Sequence, residues 1–171
     1  MVRLESAGSG IALMLETDEA VVVGRLLDDM IEFLSAENPD DAIEERLFPS
    51  AYDDDAEAKK FTDMVGDELR STKMKNFEVM RAGIDHSGGR TILTPDDVET
   101  WLRGLTDLRL ALGTRLEVTE EKMARIPEAD DPEAPALGLL HWMAWLQEML
   151  IDSLSEREDG DDKTDEGNGS S

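Results

Sequence analysis

The sequence predicts a mainly α protein of the α+β class: a bundle of about four to six helices carrying a small antiparallel sheet of two or three strands. Three observations carry this expectation. Apolar residues recur at helical spacing over four long stretches. Two short strand-like runs at the start flank a cluster of turn formers. Residues 94–119, TPDDVETWLRGLTDLRLALGTRLEVT, hold both a helix start and a helix stop.

Residues 2–5 and 11–15 are the two strands, separated by Ser6, Ala7, Gly8, Ser9 and Gly10. A lone hairpin is marginal in water, and residues 90–93, which follow Gly88-Gly89, can supply a third strand. Thr17 is placed to cap the first helix, whose stripe is Ala20, Val23, Leu26 or Leu27, Met30, Ile31 and Leu34. It should end near Ala36, ahead of Asn38-Pro39. Residues 40–47 form a short helix with Ile43 and Leu47 inward, stopped by Pro49. A long helix follows from Asp54 to about Ala82, with Phe61, Val65, Leu69, Thr72 and Met80 inward and Gly83 closing it.

In the 94–119 stretch, Thr94 caps, Pro95 suits the first helical position, and Asp96, Asp97 and Glu99 sit where the helix dipole favours anions. Val98, Trp101, Leu102, Leu105, Leu108 and Leu112 follow, and Gly113 is the expected stop. Arg109 breaks the stripe: at 100° per residue its guanidinium projects between Leu102 and Leu105. It reads as a buried structural arginine, with Gln147 as a neighbour and Glu68 or Glu148 as the carboxylate.

Thr119 then starts one or two helical turns, and residues 127–135 are an acidic, proline-punctuated loop. The last helix, residues 135–154, is apolar nearly all round. Trp142 and Trp145 are expected on two sides of it, so that the helix is either central or part of a homodimer. Gln147 is its polar intruder. Residues 1–154 form one domain, and the acidic residues 155–171 are expected to be disordered.

The charge is extreme: 17 Lys+Arg against 41 Asp+Glu give a net −24 over 171 residues. Such a field repels nucleic acid and anionic membranes and favours a basic protein partner. Between residues 59 and 90 the balance inverts, with seven cations against five acids. That stretch reads either as a solvated face of spaced ion pairs or as an interaction surface. Lys59, Lys60, Arg70, Lys73 and Lys75 would form that surface, and Trp142 and Trp145 are the apolar candidates.

With no cysteine, the chain has no disulfide framework, thiol nucleophile or zinc-thiolate site. No run reaches the roughly 18 apolar residues that a membrane span needs, so a cytoplasmic, unprocessed protein is expected. His86 and His141 are 55 residues apart and fit no metal spacing. The EF-hand pattern and a phosphate-binding glycine loop are both missing. No catalytic, cofactor-binding or metal-ligating set emerges, which points away from an enzyme. The nine methionines read as gap-fillers of a helical core.

The run WLRGLTDLRLALGTRLEVTEE at 101–121, with GRTILT before it at 89–94 and LHWMAWLQE at 140–148, resembles an actinobacterial family of unknown function. The resemblance implies a gene of the kind that commonly lies beside that of the proteolytic adaptor ClpS. The N-terminal hairpin, Asp18-Glu19-Ala20 and LFPSAY at 47–52 share the likeness, which covers nearly everything but the tail. The resemblance implies an oxidative stress regulator of mycobacterial type that works with an alternative sigma factor and changes state through a disulfide. This cysteine-free chain departs from the family there.

The resulting expectation is a non-enzymatic regulator of transcription that contacts a sigma factor or polymerase through acidic and helical faces. An accessory role in ClpS/Clp-regulated proteolysis is the alternative.

Overall fold

The computed structural model describes residues 1–37, 41–49, 56–84, 88–126, 128 and 130–165. It contains strands β1 (Arg3–Ala7), β2 (Gly10–Met14) and β3 (Arg90–Leu93), and helices α1 (Thr17–Ser35), α2 (Asp41–Leu47), α3 (Ala56–Gly83), α4 (Pro95–Arg115), α5 (Glu120–Ala124) and α6 (Ala134–Asp165). The mainly helical class, the three-stranded antiparallel sheet and the role of residues 90–93 are all as the sequence predicts.

The hairpin is tighter than the five-residue loop expected. Ala7 pairs with Gly10, so Gly8 and Ser9 alone make the turn. Gly8 has φ +59°, which a type II′ turn demands at its first central position. β2 is the central strand, pairing with β1 on one side and β3 on the other, with Ile11 opposite Leu93. Ile11, Ala12 and Leu13 are all buried on this central strand.

The N-cap of α1 lies one residue before the expected Thr17. Glu16 is the N-cap, and its backbone N–H donates to Glu19 Oε2 at 2.9 Å. Glu19, three residues on, is therefore the capping carboxylate. Ala20, Val23, Leu27, Met30 and Leu34 are buried as the stripe predicts, and Ile43 and Leu47 of α2 join the same core.

The phase of α3 is the largest correction. Val65 and Thr72 are exposed, whereas Phe77, which the sequence reading left out, is fully buried beside Met80. The inward face runs Leu69, Lys73, Phe77, Met80, at steps of four, four and three. Lys73 interrupts that stripe with a charge, which hid the true phase. The expected start at Asp54 and the side chain of Phe61 lie outside the described residues.

α4 is the hub, packed against α2, α3 and α6 and touching α1 and β3. Its N-terminus is built as predicted: Thr94 accepts from the Asp97 N–H at 3.2 Å, and Asp97 accepts from the Thr94 N–H at 2.9 Å. Gly113 does not stop it. The helix continues to Arg115, and the left-handed residue is Glu117, with φ +48°. Val118 N–H reaches Gly113 O at 2.9 Å and Glu117 N–H reaches Thr114 O at 3.1 Å, the two bonds of a Schellman cap. A Cβ on Gly104 would overlap Met80 Sδ, so a larger residue there makes the buried Met80 side chain shift.

α6 lays one face on α4, burying Leu137, Leu140, Met143, Leu146 and Leu150. It is not the central helix. Trp142 and Trp145 are three residues apart, which is 300° of rotation, so they project only 60° from one another rather than on two sides. Trp142 is half-buried and Trp145 is 37% exposed. The helix also runs past its expected end near Leu154, to Asp165. Extending an existing helix gains one hydrogen bond per residue fixed, without a second nucleation cost. Residues 166–171 lie outside the described residues.

Candidate protein-contact site

Three of the cations of α3, Arg70, Lys73 and Arg81, pair with acids of neighbouring helices. Lys73 Nζ lies 2.7 Å from Asp107 Oδ1 of α4, with the two side chains 14% and 8% exposed. Arg70 pairs with Glu44 of α2, donates to Leu34 O at 3.3 Å and stacks its guanidinium 4.6 Å from the centre of the Phe48 ring. Arg81 holds Asp28 of α1 at 2.6 Å. These three cations thus act as an interhelical adhesive, joining α3 to acidic residues of α1, α2 and α4. Of the expected cationic surface, Lys60 and Lys75 are exposed, and the side chain of Lys59 lies outside the described residues.

Arg109 and Gln147 do meet, as the sequence predicts. Arg109 Nη1 donates to Gln147 Oε1 at 2.6 Å. Gln147 is fixed in turn, its Nε2 donating to Leu102 O at 3.1 Å and to Thr106 Oγ1 at 2.9 Å. The expected carboxylate partner is missing: neither Glu68 nor Glu148 pairs with Arg109, and among the described residues no acid does. Arg109 is half-buried rather than buried. Asp107 and Arg109 lie two residues apart on α4, 200° round the helix, so one serves the α3 interface and the other the α6 interface.

Glu19 is a node that sequence reasoning missed. Its Oε1 accepts from the Val2 N–H at 3.0 Å and from Trp142 Nε1 at 3.3 Å, while Oε2 caps α1. One carboxylate ties the first strand, the first helix and the last helix together. A signal existed in its place three residues after Glu16, but nothing in the sequence brings Trp142 to it. Close by, the N-terminal ammonium hydrogen-bonds the Glu16 carboxyl and, with its charge, holds it below the usual carboxylate value.

Beside Glu19, the N-terminal turns of α1 and α6 form an apolar groove of about 480 Å³. Val22, Leu139 and Trp142 line it with Pro135 and Gly138, and Asp18 and Glu19 stand on its rim. Val22 is 42% exposed. Such a groove offers an apolar seat with an acidic edge.

His141 is exposed and joins α6 to α5, with Nδ1 2.8 Å from Leu137 O and Nε2 3.2 Å from Met123 O. His86 lies outside the described residues. Among the described residues no group of three or more His, Asp or Glu is arranged to hold a metal ion. No described helix is long and apolar enough to cross a membrane.

The family profile described as Domain of unknown function (DUF2017) matches residues 1–154. Among curated proteins, the chain is similar to the oxidative stress regulator AosR of Mycobacterium tuberculosis and of Mycobacterium bovis. It is 31% identical to each over 130 residues, covering 68% of this chain and 59% of the relative. The putative oxidative stress regulator AosR of Mycobacterium leprae is also 31% identical, over 131 residues, covering 68% of this chain and 60% of the relative. The chain therefore spans about three-fifths of the length of the curated relatives it matches. No solved structure matches it.

Proposed function

The chain belongs to the DUF2017 family, and from that premise we propose that it is a cytoplasmic, non-enzymatic regulator of the oxidative stress response. The observation that carries this reading is its 31% identity to mycobacterial proteins named for that role. The mechanism is protein–protein contact with a sigma factor or polymerase. A net charge of −24 favours a basic partner and speeds the encounter. The α1–α6 groove supplies the apolar seat: a basic amphipathic helix can lay its apolar side on Val22, Leu139 and Trp142 and its cations near Asp18 and Glu19. The chain has no cysteine, so the stress signal reaches it by a route other than a disulfide of its own.

The test is affinity capture from the native cell at low and at high salt. Sigma factor or polymerase should be recovered, less of it at high salt, and less with the groove variant Val22→Lys. Failure to recover either at both salts overturns the reading.

A further inference from the structure

A second groove, separate from the α1–α6 contact, opens between α2, α4, α5 and α6 and encloses about 800 Å³. One wall is apolar, formed by Leu110, Val118, Met123 and Leu140, and Thr106 and Thr114 add hydroxyls. Arg109 lines it as a half-buried cation. Its position is unusual for this molecule. Arg70, Lys73 and Arg81 each find a carboxylate on a neighbouring helix, yet among the described residues Arg109 holds only the neutral amide oxygen of Gln147. A guanidinium has five N–H donors, and a partly desolvated one gains most from a charged, bidentate acceptor. Gln147, pinned by its bonds to Leu102 and Thr106, fixes Arg109 from behind and uses one of those donors. The groove edge also carries Glu117, the only non-glycine residue with positive φ among the described residues. Its strained backbone sets the path of residues 116–119 along this wall.

We propose that this groove binds a small organic monoacid, its carboxylate on Arg109 and its short hydrocarbon body against Leu110, Val118, Met123 and Leu140. The remaining charges choose the ligand class. Glu45 and Glu117 line the same groove with Arg46, so the lining as a whole is close to neutral. A single negative charge is matched by Arg109, whereas a phosphate or a dicarboxylate would place its second charge against the glutamates. The net charge of −24 opposes an anion's approach at long range, and salt screens that repulsion while leaving the short contact with Arg109 largely intact. The apolar wall makes the hydrocarbon body part of recognition, so a bare anion is a poor ligand.

The proposal is independent of the regulatory reading and stands or falls by direct binding. The experiment is a titration of the full chain with hexanoate, followed by backbone amide shifts and calorimetry at neutral pH, with 1-hexanol and acetate as comparison probes. Hexanoate should give saturable shifts confined to the groove, residues 42–46, 106–119, 123 and 140, and 1-hexanol and acetate should each bind at least about tenfold more weakly. Arg109→Gln should lower hexanoate affinity by about tenfold or more.

Gly113→Leu is the second variant. Gly113 lines the groove, lies in helical backbone, and a Cβ there meets nothing within 4 Å, so this chain should fold with the groove filled. It should lose hexanoate binding while keeping its amide spectrum elsewhere. The proposal is overturned by the absence of saturable shifts at the groove. Binding of 1-hexanol or acetate as tight as that of hexanoate overturns it too, as does a folded Gly113→Leu chain that binds hexanoate like the parent.

Discussion

Lys73 Nζ of α3 and Asp107 Oδ1 of α4 meet at 2.7 Å with both side chains largely withdrawn from water. The pair stands where Gly104 lets Met80 approach the hub helix, so charge and close packing share one interface. Removing either partner leaves the other charge poorly solvated. Asp107→Ala should cost about 3 kcal/mol, whereas Lys73→Met with Asp107→Leu should recover most of that loss. Urea denaturation of the parent, Lys73→Met, Asp107→Leu and the double variant closes the cycle; a double-variant loss equal to the sum of the two single losses would show that the pair is not coupled.

Gly104 itself should resist substitution. Alanine has the better helix propensity by about 1 kcal/mol, but its methyl overlaps Met80 Sδ, and Met80 is fully buried, so its shift must be accommodated inside the core. Gly104→Ala should therefore be destabilised in spite of propensity, and Gly104→Ala combined with Met80→Ala should be less so than additivity requires. Thermal unfolding of both distinguishes a clash from a loss of helix.

Glu19 should be worth more than its surface position implies. Glu19→Ala removes a helix cap and two further bonds to one carboxylate, and should lose about 2 kcal/mol. Trp142 fluorescence should shift to the red as its indole N–H exchanges Glu19 for water. An unchanged emission spectrum with normal stability would show that the bond is not kept in solution.

Arg109→Ala is expected to be mild for a charge in an apolar stripe. A buried ion pair broken on one side costs about 3–5 kcal/mol, but among the described residues Arg109 has no carboxylate to strand, and it is half-buried. The loss should be nearer 1 kcal/mol, that of one hydrogen bond to a charged group in partial contact with water. A loss above about 3 kcal/mol would mean that a carboxylate partner exists.

Glu117→Gly should stabilise the chain. Relief of a left-handed residue gains about 1–2 kcal/mol, against which glycine's looser unfolded chain sets part back, leaving roughly 0.5–1 kcal/mol. Chemical denaturation of the variant tests this, and a destabilised Glu117→Gly would show that its side chain holds the α4–α5 connection.

The sequence by itself determined the class, the order of elements, the Thr94 cap and the meeting of Arg109 with Gln147, because each is written in local chemistry or in a break of periodicity. Cap, proline and acidic first turn act over four residues, and an intruder in an apolar stripe announces a buried contact wherever the helix packs. Lys73 carried that same signature between Leu69 and Phe77, and was lost only because α3 was phased on Val65 and Thr72. Asp107, flanked at −3 and +4 by Gly104 and Ala111, marked a close helix approach.

What the tertiary structure alone decided is which partner each polar group receives. Glu19 and Trp142 are 123 residues apart and Arg81 and Asp28 are 53 apart, and no periodicity reports such distances. It also decided that α4, rather than the more apolar α6, is the hub. Hydrophobicity fixes how much surface a helix must bury, whereas the faces offered by its neighbours fix where it is buried. The cationic stretch of α3 follows the same division: its charge was legible, and only packing turned that charge inward.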